Sequence, residues 1–213
     1  LKNMNLMLLE RLLQVKIKLN LVEKLIGHKK IKTAVFISGK GSNLKNLIKF
    51  SKTKRSPILI SLIVSNTTLA KGLKYSKQFN IKKKIYNFND NKVSEKNILI
   101  FLKKNEINFI CLAGFMKILS ANFIKKFNGK IINIHPSLLP KYKGLKTHER
   151  AIENNDKFAG CSVHFVTEKL DSGKIIMQKR IKISSKDNPS SLARKVLKVE
   201  HKLYPLSILK IFN

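Results

Sequence analysis

The sequence predicts an α/β fold: a mostly parallel twisted sheet with helices on both faces and late strands that are partly antiparallel. From residue 33 onwards, short β-branched runs alternate with amphipathic stretches, which is typical of parallel strands joined by crossover helices. The run 57–65 is almost continuously apolar, as expected for a strand covered on both faces. After Pro140 the alternation stops, and two further strand-like runs follow that we expect to join the sheet edge as antiparallel strands.

The predicted elements follow one another in a regular order. Strand 33–38 leads through a glycine-rich turn into helix 43–51. Leu44 and Leu47 lie about one turn apart on that helix and give it an apolar face. The later elements are strand 57–65, helix 69–79, a short strand near 84–88, helix 92–104, strand 108–113, helix 120–127, the strand ending at His135, strands 160–167 and 175–183, and a closing helix 190–212.

Residues 1–32 stand apart and are predicted to be an N-terminal extension of uncertain role, ahead of one domain at 33–213. The segment begins at Leu1, so an upstream extension or a misassigned start explains it better than a targeting peptide. Glu10 and Glu23 interrupt it, and no small-residue cleavage site follows. Its leucines at loose helical spacing are Leu9, Leu12, Leu13, Leu21 and Leu25.

The composition is strongly basic, with 44 Lys and Arg residues against 12 acids and a formal net charge of +32. Such a charge attracts polyanions and permits a nucleic-acid-binding function. The lysines are nevertheless scattered along the whole chain, whereas nucleic-acid binders usually cluster them among aromatic residues. We therefore expect no specific nucleic-acid partner, and anionic small substrates fit the same charge.

The cysteines predict neither a disulfide nor a metal site. Cys111 and Cys161 lie in apolar, strand-like contexts without a Cys or His partner at metal-ligand spacing. Both are predicted to be reduced core thiols of a cytoplasmic protein. No apolar run approaches the roughly 20 residues that span a bilayer, so we expect no membrane partner.

The strand that ends at His135 carries the most informative motif. Side chains alternate along a strand, so Asn133 and His135 emerge on the same face, and Pro136 ends the strand. An amide donor and an imidazole thus meet at a strand end, where open α/β sheets bind ligands. The alternative is a strand end whose Asn caps a turn and whose His is merely exposed, and the pair alone does not decide.

The turn after the first strand, 38–43, has the features of an anion site. Its glycines permit a tight turn and a close backbone approach. The unpaired amides of the following helix start attract anions, and Ser42 and Asn43 can add donors. The motif is neither a Walker sequence nor a dinucleotide fingerprint, and an ordinary glycine-rich turn is the alternative.

Asp171 lies in the loop 167–173 between the two late strands. Turn formation is one explanation, because Asp is common in turns. The functional explanation places this carboxylate beside His135, where it would raise the pKa of the imidazole and tune it for proton transfer near neutral pH. The sequence leaves the distance between the two side chains open.

Five sequence blocks together resemble the phosphoribosylglycinamide formyltransferases, the folate-dependent enzymes of purine biosynthesis. The 133–140 block is specific for the broader formyltransferase superfamily, and the 38–43 turn narrows the resemblance. The resemblance implies a Rossmann-like formyltransferase domain at 33–213. The five blocks are 37–44, 112–120, 133–142, 162–167 and 170–173.

The resemblance also implies a reaction and the residues that perform it. A formyl group passes from 10-formyltetrahydrofolate to the amine of 5-phosphoribosylglycinamide, through a tetrahedral intermediate and without a metal. By this resemblance Asn133 stabilises the oxyanion, His135 as imidazolium adds charge and moves the proton, and Asp171 holds and tunes His135.

Substrate binding follows from the same resemblance. Gly41, Ser42 and Asn43 are implied to hold the substrate phosphate, and Glu200 is implied to contact the nucleotide. The implied enzyme binds small molecules and is a monomer or a homodimer. The residues implied to bind folate are Met116, Lys117, Ile118, Leu119, Asn133, Thr167, Glu168, Lys169 and Leu170.

The chain departs from the family pattern at two positions. The family often has Arg near Asn91, where Lys92 is a possible substitute, and a longer polar side chain at Leu197. Three further histidines are predicted to be structural: His148, His164 and His201.

Three other functions compete with this one. A methionyl-tRNA formyltransferase shares the 133–140 block, but it carries a further RNA-binding domain. A formyltetrahydrofolate hydrolase would carry an N-terminal regulatory domain, for which 32 residues are too few. A basic nucleic-acid-binding protein remains an alternative on charge alone.

Overall fold

The computed structural model divides the chain into two units, Leu1–Lys30 and Ile31–Asn213. In the first unit the described residues 8 and 10–15 are helical. The predicted periodicity from Leu9 to Leu25 rests largely on positions outside the described residues, and the extension at 1–32 stays a prediction. The structure describes residues 8, 10–15, 29–88 and 90–212.

The second unit is built on one seven-stranded sheet with the order β3-β2-β1-β4-β5-β6-β7. All pairs among β1 to β5 are parallel, whereas β6 runs antiparallel to β5, and β7 antiparallel to β6. The predicted fold class is confirmed, including the antiparallel late strands. The strands are β1 (Ile31–Ile37), β2 (Ile58–Ser65), β3 (Lys82–Ile85), β4 (Phe109–Leu112), β5 (Lys130–His135), β6 (Phe158–Phe165) and β7 (Ile175–Lys182).

Helices cover both faces of this sheet. Neighbouring β1 side chains enter different clusters: Val35 packs with residues of α1 and α6, whereas Phe36 packs with residues of α3 and α4. This split follows from the alternation of side chains along a strand. The helices are α1 (Ser42–Ser51), α2 (Lys74–Phe79), α3 (Asn91–Lys104), α4 (Ala121–Lys126), α5 (Thr147–Glu153) and α6 (Pro189–Phe212).

Two local predictions were wrong. The predicted helix 69–79 is a 3₁₀ turn, Lys71–Leu73, followed by the short α2. The second is helix α5, which lies where no element was predicted between the strand ending at His135 and strand 160–167, and whose buried residues are Thr147 and Ala151. A seven-residue helix with so small a buried face has almost no apolar periodicity, so the pattern that reveals longer helices is missing.

The sheet brings the ends of several strands to one edge. In the β4–β5 register Leu112 lies opposite Asn133, and in the antiparallel β5–β6 register Asn133 lies opposite His164. From α6, Tyr204 Oη donates to the carbonyl oxygen of Leu112 at 2.9 Å and fastens that helix to the strand ends. Within the described part of the chain, no helix is long and apolar enough to cross a membrane.

Candidate active site

Asn133 and His135 occupy the end of β5, as the sequence predicts. His135 is only 5% exposed. Its Nε2 lies 2.8 Å from the carbonyl oxygen of Tyr142, and because a carbonyl only accepts, Nε2 carries a proton. The imidazole is therefore held in one orientation by the loop that follows β5.

Asp171 lies beside His135, which answers the question that the sequence leaves open. Its Oδ2 is 3.4 Å from His135 Nδ1 and accepts a hydrogen bond from the backbone N–H of Gly144 at 2.9 Å. The backbone φ of Asp171 is 45°, a left-handed conformation that is uncommon outside glycine. The loop between β6 and β7 thus returns to the strand tip and presents its carboxylate there.

The surroundings of His135 act on its pKa in opposite directions. Burial lowers it, while the Tyr142 carbonyl and the Asp171 carboxylate raise it, and the resulting pKa lies below the ordinary value of 6.5. The predicted upward effect of Asp171 is present, but burial outweighs it. Both ring nitrogens nevertheless face acceptors, an arrangement that also accommodates a proton arriving at Nδ1.

The pKa of Asp171 lies below its ordinary value of 3.8. Burial alone would raise this pKa, but the neighbouring His164 side chain, the hydrogen bond from the Gly144 amide and the charge of His135 outweigh it. The carboxylate therefore stays ionised beside the two imidazoles.

His164 is a site residue that the sequence prediction missed. It is 2% exposed, and its Nδ1 donates to the Phe165 carbonyl oxygen at 2.9 Å, so the neutral ring has its lone pair on Nε2. That nitrogen lies 3.3 Å from Asn133 Nδ2 and 3.5 Å from Asp171 Oδ1. Its position in a strand was predictable, since it lies one residue before the end of β6, but its pairing with Asn133 was not.

A cavity of about 260 Å³ opens beside this group. Asn133, His164 and Asp171 line it. Both sequence segments predicted to bind folate, 116–119 and 167–170, form its walls. The predicted folate residues on these walls are Met116, Lys117, Ile118, Leu119, Thr167, Glu168, Lys169 and Leu170.

The turn after β1 has the backbone of an anion site. Gly41 is the N-cap of α1 with φ 72°, and no side chain caps the helix. The first amides of such a helix lack intrahelical partners. Gly72 closes the turn from the far side, because a Cβ on Gly41 would lie 2.7 Å from the Gly72 Cα.

Two residues predicted to bind the nucleotide touch each other. Asn43 Nδ2 donates to Glu200 Oε2 at 2.6 Å, and both side chains are buried. Asn43 Oδ1 is buried without a hydrogen-bond partner. Burial raises the pKa of Glu200, and the bond from Asn43 opposes that rise.

The two departures from the family pattern lie in different settings. Asn91 and Lys92 begin α3, are exposed and are not among the residues that line the cavity. Leu197 is half-buried and precedes Glu200 by three residues on α6, so the two share one face of the helix.

Neither cysteine takes part in the site. Cys111 and Cys161 are both buried and unbridged. Burial raises the pKa of both thiols, that of Cys161 to about 12. Among the residues that the structure describes, no group of three or more His, Cys, Asp or Glu side chains could hold a metal ion.

Comparison with known proteins agrees with this geometry. The sequence model of the formyl transferase family matches residues 31–208. The phosphoribosylglycinamide formyltransferase of Haemophilus influenzae is 41% identical over 180 residues, which cover 83% of this chain and 85% of that protein. The human trifunctional purine biosynthetic protein adenosine-3 is 40% identical over 183 residues, but this chain spans only 18% of it.

Solved structures give the same result. The phosphoribosylglycinamide formyltransferase of Brucella melitensis superposes with a TM-score of 0.81 at 40% identity, covering 86% of this chain and 96% of that one. The enzyme from Anaplasma phagocytophilum gives 0.79 at 39% identity, with 84% and 85% covered. These matches do not favour the alternative functions. The chain belongs to the formyl transferase family and, within it, to the phosphoribosylglycinamide formyltransferases.

Proposed function

We propose that this enzyme transfers a formyl group from 10-formyltetrahydrofolate to the amine of 5-phosphoribosylglycinamide in purine biosynthesis. The observation that carries the proposal is that Asn133, His164 and Asp171 line one cavity, with the buried His135 3.4 Å from Asp171. An amide donor and a carboxylate–imidazole pair beside a cavity are the groups that acyl transfer to an amine needs.

Each substrate has a part of the site suited to it. The flat pterin fits the cavity between segments 116–119 and 167–170, whose walls combine apolar side chains with lysines. The substrate phosphate fits the uncapped start of α1, where unpaired amides and the helix dipole favour an anion. Glu200 is proposed to bond the ribose hydroxyls, and Asn43, which donates to Glu200 from the first turn of α1, is proposed to hold the phosphate with Gly41 and Ser42.

The first chemical step is the attack of the amine on the formyl carbon. The amine lone pair forms the new C–N bond, and the carbonyl π electrons move onto the formyl oxygen. In the neutral His164 state, Asn133 gives one N–H to His164 Nε2 and keeps the second for this oxyanion. His164 is thus a positioning residue that sets the direction of the Asn133 amide.

The second step moves one proton and breaks one bond. His135 as imidazolium gives its Nε2 proton to the folate nitrogen as the C–N bond to folate breaks and the carbonyl re-forms, and the freed Nε2 then takes the proton of the cationic amine. Asp171 stabilises the imidazolium, because its carboxylate lies 3.4 Å from His135 Nδ1. For this transfer, the Nε2–H must leave the Tyr142 carbonyl oxygen and form its hydrogen bond to a substrate atom instead.

The setting of the enzyme forms part of the proposal. Buried, unbridged Cys111 and Cys161 suit a reducing compartment, which supports a cytoplasmic enzyme. The assembly is proposed to be a monomer or a homodimer that needs no metal.

The test is an absorbance assay for tetrahydrofolate release that requires 5-phosphoribosylglycinamide. The native chain should release tetrahydrofolate only when the amine substrate is present, and His135→Ala should lose about 10²–10⁴-fold in kcat. His148→Ala removes another half-buried imidazole, from α5, and serves as the matched control. Native protein without amine-dependent release would refute the function, and an unimpaired His135→Ala would refute the role of His135.

A further inference from the structure

Ser38 lies where three loops at one edge of the sheet meet. It follows β1 directly and begins the turn that leads to α1. Its Oγ donates to Asn66 Oδ1 at 2.5 Å in the loop after β2. The same Oγ accepts from the backbone N–H of Met116 at 2.8 Å, and the Ser38 N–H donates to the Gly114 carbonyl oxygen at 3.0 Å, both in the loop after β4.

The direction of these bonds is fixed. A serine hydroxyl has a single hydrogen, and here it points to Asn66 Oδ1. A lone pair of Ser38 Oγ must therefore face the Met116 N–H. Asn66 thus sets the direction of the hydroxyl: replacing Ser38 removes the hydrogen bond to Met116, and replacing Asn66 leaves the hydroxyl free to rotate away from that geometry.

This tie connects the two substrate regions. Met116 is the first residue of the cavity wall 116–119, and Ser38 is the first residue of the turn that ends at Gly41. The last paired residues of β1 and β4 are Phe36 and Leu112. Past this pair, the hydrogen bonds of Ser38 continue to join the loop after β1 to the loop after β4.

On its other side, the turn 38–41 packs against Gly72. The Gly72 N–H donates to the Gly39 carbonyl oxygen at 2.9 Å, and a Cβ on Gly41 would lie 2.7 Å from the Gly72 Cα. Backbone packed this closely has little room to shift towards Gly72. The turn is therefore confined on the Gly72 side, and its hydrogen bonds through Ser38 lead to the cavity wall 116–119.

We propose that Ser38 is a positioning residue that couples the two substrates, so that each favours the binding of the other. The inference rests on the function proposed above. The first ligand orders a unit that contains both the turn and the wall, and the second ligand then loses less conformational entropy on binding. Such coupling is reciprocal between the two ligands.

The test compares the Kd of 5-phosphoribosylglycinamide with and without saturating tetrahydrofolate, which lacks the formyl group and cannot react. For the native chain, calorimetry should show at least about fivefold tighter binding with tetrahydrofolate. In Ser38→Ala the ratio should fall to about one, while each Kd measured alone changes less than this coupling factor. Ser38→Thr keeps a hydroxyl and should restore the ratio, and Asn66→Ala should lower it.

Ser76→Ala is the matched control. Its hydroxyl also donates to a backbone carbonyl, that of Ile81 at 2.7 Å, and touches neither substrate region. A native ratio of one, or a native-like ratio in Ser38→Ala, overturns the coupling. If Ser38→Ala does not fold, a native-like ratio in Asn66→Ala overturns it instead. Native protein that binds neither ligand refutes the proposed function, whereas active protein with a ratio independent of Ser38 refutes the coupling alone.

Discussion

The candidate site has two ends, the strand tip with Asp171 and the region of the Gly41 turn with Glu200, and the surroundings shift the pKa values of these two carboxylates in opposite directions. Asp171 accepts from the Gly144 amide and faces two imidazoles, and its pKa lies below its ordinary value despite burial. Glu200 accepts from the neutral amide of Asn43, and burial raises its pKa. A carboxylate surrounded by groups that can carry positive charge suits proton transfer, whereas one bonded to a neutral amide suits the binding of hydroxyl groups.

The two ends also differ in how the chain builds them. The turn at Gly41 is contiguous, and its amides point outward because a helix starts there. The strand tip is assembled from three separate segments that supply Asn133, His164 and Asp171. Changes at the turn should therefore alter binding of one substrate, whereas changes at the strand tip should alter the chemical step.

The largest effect is expected from Asn133→Ala. It removes the N–H proposed for the oxyanion, so kcat should fall about 10²–10³-fold while both KM values change little. Steady-state kinetics measures this, and Asn105→Ala is the control because its amide donates only locally, to the Phe101 carbonyl. A rise in KM at constant kcat would assign Asn133 to binding instead.

Asp171→Asn should cost about 10²-fold in kcat and shift the pH profile. Asp171 raises the pKa of His135, so the neutral amide should let that pKa fall further below 6.5. The limb of the kcat/KM profile that reports His135 should therefore move to lower pH. A limb that stays in place or moves upward would contradict the tuning role of Asp171.

Gly41→Ala should act at the other end of the site. Alanine there meets both a positive φ of 72° and a Cβ contact of 2.7 Å with the Gly72 Cα, so the turn must deform. The KM for 5-phosphoribosylglycinamide should rise about tenfold, which corresponds to about 1.4 kcal/mol, within the range of local backbone strain. The KM for folate should stay within about twofold if the coupling through Ser38 is weaker than this direct effect.

Gly39→Ala is the matched control for this change. A Cβ at Gly39 meets nothing within 4 Å, and its φ is not positive. Equal rises in the nucleotide KM of both variants would mean that the geometry of Gly41 does not set the phosphate site.

The contiguous end was the more predictable one. The apolar strand, the glycines and the helix face follow one another in the sequence, so strand β1, the turn and α1 could be placed from local patterns alone. The alternation of Asn133 and His135 was equally local, because the period of a strand is fixed at two residues.

The assembled end depends on pairing that local patterns do not contain. His164 reaches Asn133 because β6 runs antiparallel to β5 in one particular register. A shift of one residue would turn His164 to the other face of the sheet. Asp171 was identified as a candidate, but its 3.4 Å approach to His135 depends on how the loop folds back. The resemblance to a known family supplied the role proposed for Asp171, which spacing could not, but it did not identify His164.

The smallest expected effect is on thermal stability, and it tests the opposite pKa shifts of Glu200 and Asp171. Because its pKa is raised in the folded state, Glu200 adds most stability below its ordinary value of 4.5 and loses it as the pH rises through the folded value. Glu200→Gln removes this loss. At pH values above the folded pKa of Glu200, the variant should therefore melt about 2–4 °C higher than the native chain, which corresponds to roughly 1 kcal/mol. Asp171 has the opposite sign: its stability is present above 3.8 and is lost as the pH falls. Melting curves of Glu200→Gln and Asp171→Asn from pH 3 to 8 should therefore diverge from the native curve in opposite directions, and parallel curves would show that the two ends do not differ.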